Sequence, residues 1–144
     1  MDIRELKRFY PEQERDFERA LSEIRRGKKT THWMWYIFPQ LRGLGRSQMA
    51  YYYGIADREE AKRYWADDML RANLTKITEA FLALPSQPPS HVMGGIDAKK
   101  LFSCMTLFDE VAGGETAIFR QVLDKFYDGN RDPDTLEILN REEK

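Results

Sequence analysis

HWMWYIFPQLRGLGRS, residues 32–47, is the stretch whose reading decides the fold. Trp33, Trp35, Tyr36 and Phe38 fall within six residues, and Met34 and Ile37 make the apolar run unbroken. Periodicity alone allows such a run to be a buried strand or a buried helical turn. No second strand-like run exists in the chain to pair with it, and a lone strand would leave its backbone N–H and C=O groups unsatisfied. The expectation is therefore a short helix or an irregular buried segment ended by Pro39. Residues 42–46 then read as a tight turn punctuated by glycine. Ser47 is placed to cap a short helix reaching Tyr53.

The flanking segments read as helices. Upstream, Pro11 suits a first helical position, and Glu12 and Glu14 complement the positive end of the dipole. Phe17, Leu21 and Ile24 share a face with Ala20 beside them, and Gly27 can stop the helix. Residues 28–31 form a polar loop. Downstream, Asp57 and Glu60 make a capping-box-like start for a helix running to about Asp67, with Ala61, Tyr64 and Trp65 as its buried residues. Over residues 69–84 the period is clean, with Leu70, Leu74, Ile77, Phe81 and Leu84 on one stripe. PSQPPS, residues 85–90, ends that helix as a rigid extended linker.

Residues 91–96 then read as a loop around Gly94 and Gly95. Asp97 can cap a helix over 98–112 that Gly113 and Gly114 break. Thr116 caps the next helix, whose Ile118, Phe119, Val122, Leu123 and Phe126 form a broad apolar stripe before Gly129. Asp132 and Pro133 open a last short helix to Leu139, with the terminal NREEK frayed. The fold class is all-α: residues 1–144 as a single domain, a compact bundle of about seven or eight helices with a buried aromatic segment.

The 144 residues are enough to bury a sizeable core. Their 23 basic and 24 acidic side chains nearly cancel, for a net charge of -1. That balance argues against dedicated nucleic-acid binding, which would show as a large positive excess. A single cysteine, Cys104, excludes an internal disulfide and a cysteine zinc site, and the two histidines exclude a His-rich metal site. No metal or cofactor is implied. The N-terminus is charged from its second residue, and the longest apolar run is too short to span a bilayer. The expected setting is the reduced cytoplasm, with no membrane association.

Several residues are candidates for chemistry, each weighed against an ordinary structural role. The aromatic rings are core by default. Trp33 or Trp35 facing a cleft would instead stack on a base or another planar ligand. In the turn, Gly43 and Gly45 let backbone N–H groups approach an anion, and Arg42 and Arg46 add charge-assisted hydrogen bonds at the start of the Ser47 helix. A lone GxG is not the dinucleotide fingerprint, because no strand precedes it and the third glycine is missing. His32 and Gln40 stand at the edges of the aromatic run. Asp97 and Lys100 sit one turn apart, and Ser103 follows Lys100 on the same polar face. Cys104, set among apolar residues, reads as a small buried hydrophobe.

HWMWYIFPQLRGLGRS, the following AYYYGIADREEAKRYW, and DAKKLFSCMTLF together resemble a bacterial family, domain of unknown function 1810, whose members have been labelled calpastatin-like. The resemblance covers roughly residues 5–139 and rests on the specific pattern WxWxxFPQxxGxG. It implies a small, mostly helical cytoplasmic protein and no established activity. The calpastatin label implies a disordered inhibitor, which this core patterning opposes. The chain departs from the family pattern at two places. The usual His-Pro-x-Leu-Gly-x-Arg-Leu run is replaced by ADDMLRANL, residues 66–74, and a Ser-Ser pair is here Ser103 and Cys104.

Two functions follow as expectations. In one, the protein binds or processes a nucleotide-like or ADP-ribose-like phosphate ligand, held by His32, Trp33, Trp35, Gln40, Arg42, Gly43, Gly45, Arg46 and Ser47. Asp97 and Lys100 are then the acid/base candidates, with Asp97 activating water if hydrolysis occurs. In the other, the protein is a non-enzymatic interaction module for a protein partner, and the aromatic segment is purely core. A concave pocket gathering His32, Gln40, Arg46, Asp97 and Lys100 favours the ligand; a scatter over a convex surface favours the partner.

Overall fold

The polar side chains of the first long helix explain how the aromatic segment is held. The computed structural model describes residues 4–142, with side chains from Leu6 onward. In α2 (Tyr10–Arg25), Phe17, Leu21 and Ile24 go into the core with Ala20, as their spacing predicts. A second stripe of the same helix, Gln13, Asp16 and Glu23, is also buried, and it faces α3 (Met34–Ile37). The Gln13 amide donates to the carbonyl of Tyr36 at 2.8 Å and to the Tyr64 hydroxyl at 2.9 Å. The Tyr36 hydroxyl donates to Asp16, and the Trp33 indole donates to Glu23 at 3.0 Å. A segment too short for a ladder of its own thus has its polar atoms satisfied by a neighbouring helix.

Burial and the neighbouring Asp16 carboxylate push the Tyr36 hydroxyl up to about 12, so it stays a neutral donor. Burial alone would raise Glu23. The Thr31 hydroxyl, the Thr30 amide, the Trp33 indole and the Thr31 amide overcome it and hold the carboxyl down at about 2.

Of the seven or eight helical segments expected, eight are present, preceded by one further turn, α1 (Arg4–Lys7). After α3 come α4 (Gln48–Tyr53), α5 (Arg58–Ala66), α6 (Asp68–Leu82), α7 (Ser90–Ala112), α8 (Ile118–Phe126) and α9 (Pro133–Glu142). Among the described residues there is no strand, only an isolated parallel bridge between Leu41 and Ile55. That bridge ties the chain before the glycine turn to the chain after α4. The core is one contiguous apolar cluster. Within it α6 packs on α2, α5 and α8, while α7 packs on α5, α8 and α9. The stripe Leu70, Leu74, Ile77, Phe81 and Leu84 is buried throughout.

Ser47 caps α4 by accepting from the Ala50 amide at 3.0 Å, and Asp57 caps α5 by accepting from Glu60 at 2.8 Å. The reciprocal half of the capping box is displaced by one residue, because Glu60 accepts from the Ala56 amide and pairs with Arg8.

Two expectations are corrected. The chain at 91–96 is not a loop: a first turn begins at Ser90, and the helix is interrupted only at Gly94, with φ 82° and ψ 163°. That conformation is open to glycine and strained for other residues. The interruption places Asp97 inside the second part of α7 rather than at its cap, and its carboxylate turns to Lys29 at 2.9 Å. The C-terminal turn is not frayed as far as Glu142, which remains in α9 and accepts from the Arg58 amide at 3.1 Å.

Candidate functional site

A cleft of about 500 Å³ lies between the glycine turn and the part of α7 that follows Gly94. One wall comes from residues 40–50: Gln40, Leu44, Gly45, Arg46, Ser47 and Ala50. The opposite wall comes from α7, with Ile96, Lys99, Lys100 and Ser103, and the α9 entrance adds Asp132 and Asp134. A second hollow of about 400 Å³ continues past Gly95, Ile96 and Lys100 to His32, Trp35, Asp97 and Lys29. Lys100 borders both. Gln40 and Arg46 thus line the first hollow, His32 and Asp97 the second, and Lys100 stands between the two.

Lys100 is positioned from two sides. Its ammonium lies 5.0 Å over the Trp35 ring and 3.7 Å from Asp97, which also holds Lys29 at 2.9 Å. Lys29 in turn donates to the Thr31 carbonyl at 2.6 Å and stands 4.9 Å over the Trp33 ring. Asp97 is thus shared by two ammonium groups. Its geometry makes it the partner that aims Lys100.

Gln40 is placed by the backbone pair around it. The Ile55 amide donates to the Gln40 carbonyl at 2.9 Å, and the Arg42 amide donates to the Ile55 carbonyl at 2.8 Å. The main cleft carries three cations, Arg46, Lys99 and Lys100, against two carboxylates, Asp132 and Asp134. The Asp132 carboxylate is already engaged. It accepts from the hydroxyls of Ser103 at 2.7 Å and Thr135 at 2.6 Å and from the Asp134 amide at 3.3 Å. Counted over the lining side chains, the cleft carries one more cation than carboxylate, a surplus that an anionic ligand would meet.

Three expected ligand residues lie elsewhere. Trp33 is 0% exposed in the core, so neither face of its ring is open to a planar ligand. Arg42 turns away: its Nε donates to the Tyr51 carbonyl at 2.9 Å, and its guanidinium lies 4.5 Å over the Tyr51 ring. Gly43 is on the exposed side of the turn, with φ 103°. Trp35 does border the second hollow, but Lys100 stands over its ring, so it serves as a shelf for the ammonium. The six-residue α4 is a weak dipole, and its Ala50 amide is taken by Ser47.

Ile96, Lys99 and Asp132 were absent from the expected site. Lys99 adjoins the Asp97–Lys100 pair in sequence, and only the bend at Gly94 shows that it faces the turn. Asp132 carried a signal as the residue before Pro133, read there as a helix start and nothing more. Cys104 is fully buried, and burial pushes its thiol well above the usual range, so it has no part in the site. Among the described residues no three His, Cys, Asp or Glu side chains are grouped as metal ligands, and no helix is long and apolar enough to cross a membrane.

The family model described as protein of unknown function (DUF1810) matches residues 3–139. The crystal structure of the conserved hypothetical protein Rv1873 from Mycobacterium tuberculosis is similar to this chain, with 37% identity and a TM-score of 0.92 over 96% of this chain and 99% of that one. No curated protein matches the chain.

Proposed function

We propose that this chain, which belongs to the DUF1810 family, binds a nucleotide-like or ADP-ribose-like phosphate ligand in the cleft between the glycine turn and α7. One observation carries the reading. Residues from three distant parts of the chain, Gln40 to Ser47, Lys99 to Ser103 and Asp132, converge on one concavity of about 500 Å³ with a surplus of cations. A volume of that size suits a small-molecule ligand. Arg46 and Lys100 would hold the phosphate through charge-assisted hydrogen bonds, with Gln40 hydrogen-bonding a neutral part of the ligand. Asp97 and Trp35 hold Lys100 in place.

We place the protein in the cytoplasm of a bacterium. The similar solved structure is bacterial, and the one thiol is free and buried.

Thermal-shift and calorimetric titrations with ADP, ADP-ribose and inorganic phosphate test the reading. Stabilisation by at least one of them, lost in Lys100→Met, is the expected result. No response to any of the three overturns it.

A further inference from the structure

The large hydrophobic side chains left exposed among the described residues are Met49, Tyr51, Tyr52 and Ile96. All four border the same system of concavities. Ile96, 78% exposed, stands on the rim of the main cleft. Met49, Tyr51 and Tyr52 line a shallow hollow of about 690 Å³ on the outward side of α4, which shares Arg46 and Ser47 with the main cleft. Grouping of this kind marks a binding surface, since solitary exposed hydrophobics would be scattered.

We propose that this hollow is the base subsite of the ligand: the rings of Tyr51 and Tyr52 receive the planar base of a nucleoside diphosphate whose phosphates lie between Arg46 and Lys100. The proposal rests on the reading of the main cleft as a phosphate site and names the ligand class that the site takes.

The local sequence explains the platform. Along α4, Ala50 and Tyr53 turn inward, toward the cleft wall and the core. Tyr51 and Tyr52 are left outward, 65% and 51% exposed. Neither ring is loose. Arg42 covers one face of Tyr51 at 4.5 Å while its Nε grips the carbonyl of the same residue. Tyr52 stands edge-on to buried Tyr53, with ring centroids 4.8 Å apart and planes at 87°. Rings fixed this way lose little freedom when a base stacks on them, and any base presents a π-face. Arg46 lines the hollow where it meets the main cleft, which fits a ligand carrying a diphosphate. The two tryptophans cannot supply the platform: Trp33 is enclosed and Trp35 is occupied by Lys100.

The test is calorimetry on the full chain with three probes: ADP, ribose 5-phosphate and inorganic pyrophosphate. The double variant Tyr51→Ala/Tyr52→Ala should bind ADP about tenfold more weakly or worse, from the lost stacking. Its affinity for ribose 5-phosphate and pyrophosphate should stay within about twofold, because Arg46 and Lys100 are untouched. Tyr51→Phe/Tyr52→Phe keeps the rings and should keep the ADP affinity. Unchanged ADP affinity in the alanine variant overturns the proposal and leaves the patch to another occupant, such as a protein. Equal loss for ADP and pyrophosphate also overturns it. If the unaltered protein binds none of the three probes, the phosphate site itself is wrong and the base subsite falls with it.

Discussion

The ammonium of Lys100 lies 5.0 Å over the indole ring of Trp35, and the same ammonium borders both the main cleft and the hollow beside it. A flexible four-carbon side chain is thereby held at the mouth of the site before any ligand arrives. A cation over an indole contributes about 1 kcal/mol where solvent is near.

Trp35→Leu should therefore weaken binding of a phosphate ligand by roughly threefold to tenfold, because Lys100 must then be ordered by the ligand. Lys100→Met should weaken it much more. The indole also reports on the event. Drawing Lys100 off the ring changes the fluorescence of Trp35, whereas Trp33 and Trp65 are buried. A ligand-dependent emission change that survives in Trp35→Phe would show that Lys100 does not move in this way.

The Glu23 carboxyl, held at about 2 in the fold against an ordinary 4.5, makes stability depend on pH in a defined direction. A depressed pKa contributes stability that is fully present above the ordinary value. It is lost as pH falls from about 4.5 toward 2. The gap corresponds to about 3 kcal/mol. Denaturant melts of the unaltered protein and of Glu23→Gln, compared from pH 6 down to about 2.5, should converge as pH falls. Curves that stay parallel would mean that Glu23 is not depressed in the fold.

Much of the helical scaffold was legible because apolar spacing reports directly on burial. Leu70, Leu74, Ile77 and Phe81 form an α6 stripe, continued by Leu84 just past its end, that has no competing reading. Gln13, Asp16 and Glu23 were illegible for the converse reason. Charged and amide side chains on a helix normally read as a solvated face, and only the burial of Tyr36 and Trp33 against them shows otherwise. At the edges of the aromatic stretch, Gln40, Gly45, Arg46 and Ser47 line the cleft. The role of Trp33 could not be read, because a six-residue apolar run does not say which rings face inward. Asp97 reads as a helix cap rather than a residue inside the helix, because no local rule reveals that a helix continues through Gly94 with φ at 82°.

Gly54 is required by close backbone approach rather than by its own dihedral angles. A Cβ there would lie 2.7 Å from the Ala50 carbonyl oxygen and 2.7 Å from the Arg42 Cα, neither of which can swing aside. Gly54→Ala should cost about 1–3 kcal/mol in chemical denaturation. It should also loosen the Leu41–Ile55 bridge that places Gln40. Amide exchange at Ile55, which donates to Gln40, should accelerate more than exchange in α6. Uniform acceleration across both regions would contradict a local effect.

The contact between Ser103 and Asp132 decides between chemistry and architecture on the floor of the cleft. A serine hydroxyl 2.7 Å from a buried carboxylate resembles an activated nucleophile, but no histidine lines this cleft to take the proton. The rest of the network is that of a helix entrance. Asp132 accepts from Thr135 and from the Asp134 amide at the start of α9, and its own amide donates to the Thr106 hydroxyl of α7 at 3.0 Å. Ser103→Ala leaves Asp132 with those partners and should cost about 1 kcal/mol in stability, with ligand affinity unchanged. Asp132→Ala strips two buried hydroxyls and an amide of their acceptor, and should cost about 2–4 kcal/mol. If Ser103→Ala instead kept full stability while abolishing turnover of a phosphate ligand, the pair would be catalytic, and the tie between α7 and α9 would be its secondary role.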